Sequence, residues 1–375
     1  KAYLNEEKKE NASLALLGEL DALRIPEHAY VNPETDAAHC CGHHAQMAGI
    51  FGAALALTVP EIAEKLGGQV VFFATPAEEY GEIEFKNQLR EQGKIRYGGG
   101  KCELIRTGAF DDIDLCLAHH IQPGDEIQVG SGTGNGFVSK VIRYLGKAAH
   151  AAGAPDKGVN ALSAASLGLQ ALGLNRETFR DEDCVRVHPI ITKGGNLVNV
   201  IPDEIVIETL VRAKTIEAFT DAAKKTDRSF QAGAVAMGAK VEITTLPGYL
   251  PTLAEQALPE LKRAAELAAP EVPVREAAGH SGGSTDVGDV QHLMPVYTFN
   301  TGGVKGGLHQ INFEVTNEEE AYIDTAKMFA LAAYGLLKEK AARSKELVKN
   351  YKPVFKDSAE YTKFMEQFDS KEVLD

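Results

Sequence analysis

The chain has 375 residues, of which 44% are hydrophobic, so it is long enough for two or three domains and apolar enough to bury a substantial core. Its 39 lysine and arginine residues against 53 aspartate and glutamate residues give a net charge of −14, which opposes binding to nucleic acid and to anionic membranes. The longest apolar stretches, such as residues 51–57, are far shorter than the roughly 20 residues that span a bilayer. We therefore expect a folded, soluble protein without a nucleic-acid-binding or membrane-spanning role.

The cysteine content indicates the compartment. Five cysteines, at positions 40, 41, 102, 116 and 184, are an odd number and lack the dense spacing of a disulfide framework. Residues 1–18 contain no apolar core between a basic start and a cleavage site, so no secretory signal peptide is visible. Both features predict a cytoplasmic protein.

Strand and helix patterns alternate in the first part of the chain. Residues 12–23 predict a buried strand that runs into a loop, and a helix of small and apolar residues begins at about His44. Two more buried strands, at 69–75 and 115–121, are each soon followed by a proline. This alternation predicts an α/β fold in which a mostly parallel sheet is flanked by helices on both faces.

A different pattern follows the glycine-rich stretch 130–136. Its predicted elements are, in order, a strand at 137–145, a helix near 158–175, strands near 185–193 and 203–212, a helix near 215–238 and a strand at 240–246. This βαββαβ order is that of the ferredoxin-like split unit, which is complete in itself. We therefore predict an inserted α+β domain at 133–246, within a first domain made of residues 1–132 and 247–375.

The first pattern resumes after the inserted domain. A helix near 253–269, a polar glycine-rich loop at 279–289, a strand near 294–300 and a long helix at about 317–340 are predicted there. The charged tail after Lys340 is predicted to be a solvated helix.

Histidine and cysteine residues cluster in the loop between the first strand and the first helix. This loop holds His39, Cys40, Cys41, His43 and His44. In Cys41-Gly-His43, a thiolate and an imidazole on either side of a glycine can converge on one cation such as zinc. A buried free cysteine beside a turn glycine is the alternative explanation of the same residues.

Two glutamates and two histidines lie at the ends of successive predicted strands. Glu78 and Glu79 follow the second strand, and His119 and His120 end the third. Because parallel strands end at the same edge of a sheet, these side chains are expected to meet near the Cys-Gly-His loop. One carboxylate can then bind a metal while its neighbour takes a proton from the attacking water. A solvated glutamate pair at a helix start is the simpler explanation of Glu78 and Glu79 alone, but the coincidence of three such groups favours a metal site.

Eight segments occur in an order that resembles one family of enzymes. They are LDALRIPEH, AHCCGHH, FFATPAEEYG, LAHHIQPG, GKAAHAAGAPDKGVNAL, GGNLVNVIPDEIVIETLVRA, GGSTDVGDV and GGLHQINF. Together they resemble the aminoacylase and carboxypeptidase family of binuclear metallopeptidases, most of all its amidohydrolase branch, which includes p-aminobenzoyl-glutamate hydrolase. The resemblance covers nearly the whole chain up to about Lys340. It implies a catalytic domain at 1–132 and 247–375, and a lid and dimerisation domain at 133–246.

The resemblance also implies roles for individual residues. The metal ligands of the branch correspond to Cys41, His43, Glu79, His120 and His309. Glu78, the first glutamate of the AEE motif, corresponds to the general base. His120 is preferred to His119 because it stands six residues after Asp114 and is followed by Ile-Gln-Pro.

In the predicted lid domain, His150 corresponds to the histidine that the family contributes across the dimer to the partner's active site. Asn199 and Arg212 correspond to the family's carboxylate-binding pair. The resemblance therefore implies two divalent metal ions per chain, zinc or manganese, and a homodimer formed through the lid. It also implies a small-molecule substrate that is an N-acyl amino acid or a dipeptide.

Two features depart from the family. His44 stands where the branch usually has Asp or Asn after Cys-Gly-His, so it is expected to add a ligand or to alter the surroundings of the metal. The family also carries further sequence before the LDAL segment, so we expect that an N-terminal part of the catalytic domain is missing.

The predicted function is metal-dependent hydrolysis of the amide bond of N-acyl or aminoacyl amino acids, with Glu78 as the base. Two alternatives remain. One is a thiol hydrolase with Cys41 as nucleophile and His43 or His44 as base. The other is a catalytically silent protein that binds amino acids through the carboxylate-binding pair, although the intact Glu78 argues against it.

Overall fold

The strands of residues 1–374, numbered in chain order, form two large sheets and three two-stranded ones. The computed structural model describes residues 1–374; Asp375, the last residue of the predicted C-terminal segment, lies outside them. The central sheet of the described chain has seven strands, which are, in spatial order, β1 (Ala2–Leu4), β5 (Gln69–Thr75), β2 (Ser13–Glu19), β6 (Leu115–Ile121), β16 (Val296–Thr301), β7 (Ile127–Val129) and β14 (Val274–Glu276).

The second sheet has six strands. They are, in spatial order, β10 (Arg186–Val187), β12 (Glu204–Ala213), β9 (Gly136–Leu145), β13 (Lys240–Pro247) and β19 (Ser370–Leu374), with β11 (Ile190–Lys193) also paired to β12. The two-stranded sheets pair β3 (Leu23–Arg24) with β4 (Ala37–Ala38), β8 (Thr133–Gly134) with β15 (His280–Ser281), and β17 (Val304–Lys305) with β18 (Glu314–Val315).

Ten α-helices connect and cover these sheets in residues 1–374. They are α1 (His43–Leu57), α2 (Pro60–Ala63), α3 (Ile83–Glu91), α4 (Gly100–Arg106), α5 (Ala161–Asn175), α6 (Ile216–Met237), α7 (Pro259–Ala268), α8 (Val287–Gln291), α9 (Thr325–Asn350) and α10 (Ser358–Met365). None of them combines the length and the apolar composition that a membrane crossing requires.

The middle of the central sheet is parallel. β5, β2, β6 and β16 run in the same direction, with Leu14 of β2 opposite Val70 on one side and Leu115 on the other. β1 and β7 run antiparallel to β5 and β16. All seven residues of β2 are buried, which is typical of a parallel strand covered on both faces. The predicted α/β fold with a mostly parallel sheet is confirmed.

Helices cover both faces of this sheet because alternate residues of each strand point to opposite sides. Leu14 and Leu16 pack into the apolar cluster formed with α1 and α9. Ala15 and Leu17 pack into the cluster that includes α4. The middle of strand β2 therefore lies between two apolar layers.

The second sheet is antiparallel, and α5 and α6 pack against each other and against β9 and β12. The chain from β9 to β13 follows the predicted βαββαβ order except that the predicted strand near 185–193 is divided into two short strands, β10 and β11, which both pair with β12. The predicted domain boundaries at 133 and 246 stay predictions. The C-terminal tail differs from the predicted solvated helix. α9 extends to Asn350, with a break at 338–341, and β19 then joins the second sheet with Leu374 opposite Val241.

Candidate metal centre

The predicted ligands and base meet at the carboxyl edge of the central sheet. Glu19 is the last residue of β2, Glu78 and Glu79 follow β5, and His120 is the next-to-last residue of β6. His309 reaches the same place from the loop between β17 and β18. The common edge of the parallel strands thus gathers residues that are far apart in the sequence.

The start of α1 positions the Cys-Gly-His motif. Gly42 precedes the helix with a φ of 80°, in the left-handed region. A Cβ at this position would lie 2.0 Å from Ile121 Cγ2, so only glycine lets the loop approach β6 so closely. The glycine therefore brings the thiol of Cys41 and the imidazole of His43 beside the end of β6.

The donor atoms of the predicted ligands lie close together. Cys41 Sγ is 3.4 Å from His120 Nε2 and 3.2 Å from His309 Nε2. His309 Nε2 is also 3.0 Å from Glu79 Oε1. In residues 1–374, three sets have all their donor atoms within 4.8 Å of one another: Cys41, His43 and His120; Cys41, Glu79 and His309; and Glu19, His43 and Glu78. Because these sets share Cys41 and His43, the donors form one continuous cluster, called the donor cluster below.

Two atoms of the donor cluster need a further partner. His43 Nδ1 is 2.9 Å from the backbone oxygen of Asp21, to which it can donate a hydrogen bond. In that tautomer of the neutral ring, the lone pair of Nε2 is available to bind a cation. His43 Nε2 lies 3.1 Å from Glu19 Oε2, and Glu79 Oε1 lies 3.0 Å from His309 Nε2, but neither contact within residues 1–374 has the geometry of a hydrogen bond. Such atoms are costly unless they are satisfied, and thiolate, imidazole and carboxylate together are ligands of zinc-class ions. These residues fit a divalent metal centre.

The electrostatics of the cluster also favour a cation. Burial raises the pKa of Glu78, and the charge of Glu19 raises it further. Burial and the neighbouring Glu79 raise the pKa of the Cys41 thiol. Burial lowers the pKa of His43, but a hydrogen-bonded aspartate and the nearby carboxylates outweigh it and raise that pKa to about 9. Burial is the largest cause for Glu78 and Cys41, and neighbouring carboxylates raise all three pKa values, so a bound cation would compensate that negative charge.

A buried ion cluster supports the donor cluster from behind. Lys101 is buried, and its Nζ lies 2.6 Å from both Glu19 Oε1 and Asp286 Oδ1. The Asp21 carboxylate accepts hydrogen bonds from the backbone N–H groups of Glu78 and Glu79. These contacts fix Glu19 and the loop that carries the two glutamates.

Four of these supporting residues were missed by the sequence reasoning, namely Glu19, Asp21, Lys101 and Asp286. Glu19 ends a buried strand, as the candidate His120 does, so the same rule identifies it. Asp21 and Asp286 lie within two of the eight family-like segments. Lys101 carries no such signal, because its ion pairs join residues that are far apart in the sequence.

Neither His119 nor His44 belongs to the donor cluster of the described chain. His119 is buried, and its Nε2 is 2.8 Å from Thr301 Oγ1. The His44 ring lies 5.4 Å from that of His39 and 5.8 Å from that of Tyr322. The structure thus brings His120, and not His119, to the other donors, and His44 packs beside the cluster instead of adding a donor to it.

A cavity of about 630 Å³ borders the donor cluster, and its lining includes Glu78, Glu79 and Arg212. Arg212 reaches it from β12 of the second sheet. Its guanidinium lies 5.4 Å from the centre of the Phe137 ring and donates a hydrogen bond to Ser284 Oγ at 3.2 Å. A cationic side chain from the second sheet and the donor cluster of the central sheet therefore share one cavity.

The other two predicted residues lie elsewhere. His150 and Asn199 are exposed and do not line this cavity within residues 1–374. They are neighbours, because Ala151 N–H donates to Asn199 O at 3.0 Å and His150 forms a β-bridge with Val200. A single chain thus does not bring Asn199 to Arg212, and the pairing of these two residues stays a prediction.

The mixed sheet and the thiol, imidazole and carboxylate donors at its carboxyl edge define an α/β protein with a metal-type site. Residues 15–334 match the peptidase family M20/M25/M40. Since this match spans most of the chain, the chain belongs to the peptidase family M20/M25/M40. The predicted family is confirmed, and so is the predicted enzyme class, a metal-dependent hydrolase of carbon–nitrogen amide bonds.

Several curated proteins are similar in sequence to this chain over part of their length. The chain is 28% identical over 325 residues to an Xaa-Arg dipeptidase of Mus musculus, which covers 84% of the chain and 67% of that protein. It is 31% identical to an N-acetyl-L-cysteine deacetylase of Bacillus subtilis, over 55% of the chain and 46% of that protein. It is 30% identical to one of the polypeptides of the p-aminobenzoyl-glutamate hydrolase of Escherichia coli, over 53% of the chain and 39% of that protein.

A solved structure supports the fold. A dinuclear metal binding peptidase of the M20 family from Bacillus subtilis superposes with a TM-score of 0.58 at 23% identity, covering 87% of this chain and 82% of that one.

Proposed function

We propose that the chain hydrolyses the amide bond that joins an acyl or aminoacyl group to an amino acid. The observation that carries the proposal is a single cavity lined by metal-type donors, by Glu78 and by the Arg212 guanidinium. The relatives described above are named for dipeptides, N-acetyl-L-cysteine and p-aminobenzoyl-glutamate, each of which contains an amide bond to an amino acid.

Two divalent ions, zinc or manganese, would be held by the donor cluster. Their ligands would be Cys41, His43, Glu79, His120 and His309. When bound, such ions supply an attacking water of lowered pKa and polarise the scissile carbonyl. Glu79 suits the role of ligand because its Oε1 is already 3.0 Å from His309 Nε2.

Glu78 acts as the general base. Its carboxylate takes the proton from the attacking water and delivers it to the leaving nitrogen, a role that typically contributes about 10² to 10⁴ in rate. Support comes from its position, since Glu78 lines the cavity and shares a donor set with His43 and Glu19.

Arg212 binds the carboxylate of the substrate. Its guanidinium has five N–H donors, of which one is hydrogen-bonded to Ser284 Oγ, and the face of the group packs on Phe137. Burial lowers the pKa of Arg212, so a buried anionic partner would stabilise it. A carboxylate is the small group that fits such a fork.

A homodimer would complete the site. Residues 190–200, called the exposed segment below, are all exposed and include β11, which pairs only with β12 among the strands of residues 1–374. Leu197 and Val198 are 64% and 102% exposed. An apolar segment beside an open strand edge is a surface suited to a second copy of the chain. We propose that this contact carries His150, which would stabilise the oxyanion, and the neighbouring Asn199 into the partner's cavity.

The alternatives are less well supported. The imidazoles 3.4 and 3.2 Å from Cys41 Sγ belong to His120 and His309, not to the predicted bases His43 or His44, and burial raises the pKa of the thiol. A silent amino-acid-binding protein would not need Glu78 in the cavity. A cytoplasmic location stays our prediction and is supported by five free cysteines in the described chain.

The decisive experiment combines metal analysis with a substrate screen. Elemental analysis of freshly purified protein should find up to two zinc- or manganese-class ions per chain. N-acyl amino acids and dipeptides are then assayed with each ion, before and after treatment with EDTA. Turnover by the metal-free protein would refute the metal-dependent mechanism and favour the thiol hydrolase.

Two matched variants assign the base. Glu78→Gln keeps the side-chain volume and removes the basic oxygen, so kcat should fall by about 10² or more with metal content unchanged. Glu79→Gln should instead lower metal content. The opposite pattern would exchange the roles of the two glutamates.

A further inference from the structure

The loop that carries Glu78 is held from opposite sides. The Asp21 carboxylate accepts hydrogen bonds from the N–H of Glu78 at 3.1 Å and from the N–H of Glu79 at 2.9 Å. On the carbonyl side, Lys86 Nζ donates to Glu79 O at 2.6 Å, and the hydroxyl of Tyr249 donates to Glu78 O. The backbone of Glu78 therefore has two side-chain partners, Asp21 in the loop after β2 and Tyr249.

This loop has an unfavourable backbone conformation that its surroundings must maintain. Ala77 has a φ of 55°, in the left-handed region that is unfavourable for a non-glycine residue. Gly100 N–H donates to Ala77 O at 2.9 Å, and a Cβ on Gly100 would lie 1.5 Å from Pro76 O. The position of Glu78 is therefore imposed by its contacts and would relax if a contact were lost.

The glycine run before Lys101 makes room for two tyrosines at this loop. A Cβ on Gly98 would lie 2.6 Å from Tyr80 Cζ, and a Cβ on Gly99 would lie 2.2 Å from Tyr249 Cε1. Tyr80 and Tyr249 are buried, with 8% and 2% of their surface exposed. The glycines thus let both rings pack tightly against the start of α4.

Tyr249 comes from the segment that leaves the second sheet. It follows β13, and its backbone oxygen accepts a hydrogen bond from Phe137 N–H, in β9, at 2.9 Å. Its ring lies 4.7 Å from that of Phe137, which in turn supports the Arg212 guanidinium. Tyr80 makes the reciprocal contact, since its hydroxyl donates to Pro247 O at 2.9 Å.

From this geometry we infer that Tyr249 is a positioning residue for the base, and that its hydroxyl holds the Glu78 carbonyl so that the carboxylate faces the attacking water. The inference rests on the proposed role of Glu78. Tyr249 does not line the cavity in the described chain, so it acts through the backbone of Glu78 and not on the substrate. The ring of Tyr249 packs against Phe137, which supports the Arg212 guanidinium. Tyr249 therefore also fixes Glu78 relative to Arg212, the residue proposed to bind the substrate carboxylate.

The test compares Tyr249→Phe with Tyr80→Phe in the metal-loaded protein. Each variant keeps its ring and loses one buried hydroxyl that donates to a backbone oxygen, so both should lower the unfolding midpoint to a similar extent. Tyr249→Phe should lower kcat about ten- to a hundredfold, because small displacements of a catalytic group have such effects. Its KM and metal content should change less than about twofold, and Tyr80→Phe should leave kcat within about twofold of wild type.

Hydrogen exchange gives a second readout that does not depend on activity. The amides of Glu78 and Glu79 should exchange faster in Tyr249→Phe than in Tyr80→Phe. Equal kcat in the two variants, or equal exchange, would overturn the inference while the proposed function stands. Near-normal kcat in Glu78→Gln would overturn both, because no base would then need positioning.

Discussion

The carboxyl edge of the central sheet and the exposed segment at 190–200 present predicted site residues in opposite ways. At the edge, His43 and Lys101 are each 1% exposed, and the Lys101 ammonium is paired with the carboxylates of Glu19 and Asp286. Near the exposed segment, His150 and Asn199 face solvent, and Val198 is fully exposed. One chain therefore brings the side chains of the first region together by itself, whereas the second region is exposed, and we propose that a second copy of the chain covers it.

The family-like motifs therefore do not all meet at one cavity in residues 1–374. The donor cluster is built by strand ends, whose positions follow from the parallel sheet. His150 and Asn199 are exposed and lie outside the strands of the second sheet, and the proposed function has them contribute through association with a second copy. The predictions below test this division, beginning with the buried edge.

The largest effect is expected from Lys101→Met. Removing the ammonium leaves Glu19 and Asp286 buried without their common counter-ion, which should lower the free energy of unfolding by about 3–5 kcal/mol in urea denaturation. Lys327→Met is the matched control. Like Lys101, Lys327 contacts two carboxylates, those of Glu319 and Asp324, each 2.9 Å from its Nζ, but the Lys327 side chain is 42% exposed. The control should lose less than about 1 kcal/mol. Equal losses would mean that burial of the ion cluster does not matter for stability.

A mixing experiment tests the proposed sharing of sites between chains. His150→Ala and Glu78→Gln proteins, each inactive alone, should together recover about a quarter of wild-type activity when subunits exchange at equal ratio. Half of the dimers are then mixed, and each mixed dimer has one intact site. If His150 acted within its own chain, every site would carry one defect and mixing would restore no activity.

The buried carboxyl group of Glu255 should make the free energy of unfolding depend on pH. Burial raises the pKa of Glu255 to about 8, and its Oε1 accepts hydrogen bonds from the backbone and side chain of Thr298. Between its unfolded pKa and about 8 the folded state keeps a proton that the unfolded state has lost, so this group makes stability fall as pH rises, by up to about 1.4 kcal/mol per unit. Glu255→Gln should remove that slope in urea titrations from pH 5 to 9. A variant with the wild-type slope would show that another group titrates.

The smallest effect is expected at the exposed segment. Val198→Asp should weaken self-association at least about tenfold, because it places a charge in the proposed apolar contact. Val235→Asp is the control, since Val235 is 70% exposed on α6, outside the exposed segment. Sedimentation velocity over a range of concentrations measures both. A monomeric wild type, or equal weakening by both variants, would contradict the proposed interface.

The sequence alone determined the main elements of the fold. The buried runs at 69–75 and 115–121 became strands with those same bounds, because continuous apolar, β-branched residues that end in turn signals have few other structures available. The two helices and the long strands β9, β12 and β13 of the second sheet were predicted from alternation and spacing for the same reason, although the predicted strand near 185–193 proved to be two short strands. The motifs around Cys41 and Glu78 also identified the family before any geometry was known.

Only the tertiary structure decided which side chains meet. His119 and His120 are adjacent in the sequence, but the strand turns one into the core and the other to the donor cluster. The contacts of Lys101 and Tyr249 join residues far apart in the sequence, and β19 joins the second sheet from the end of the chain. Local periodicity encodes strands and helices, whereas the partners of a buried charge or hydroxyl depend on how distant segments pack, which no local pattern contains.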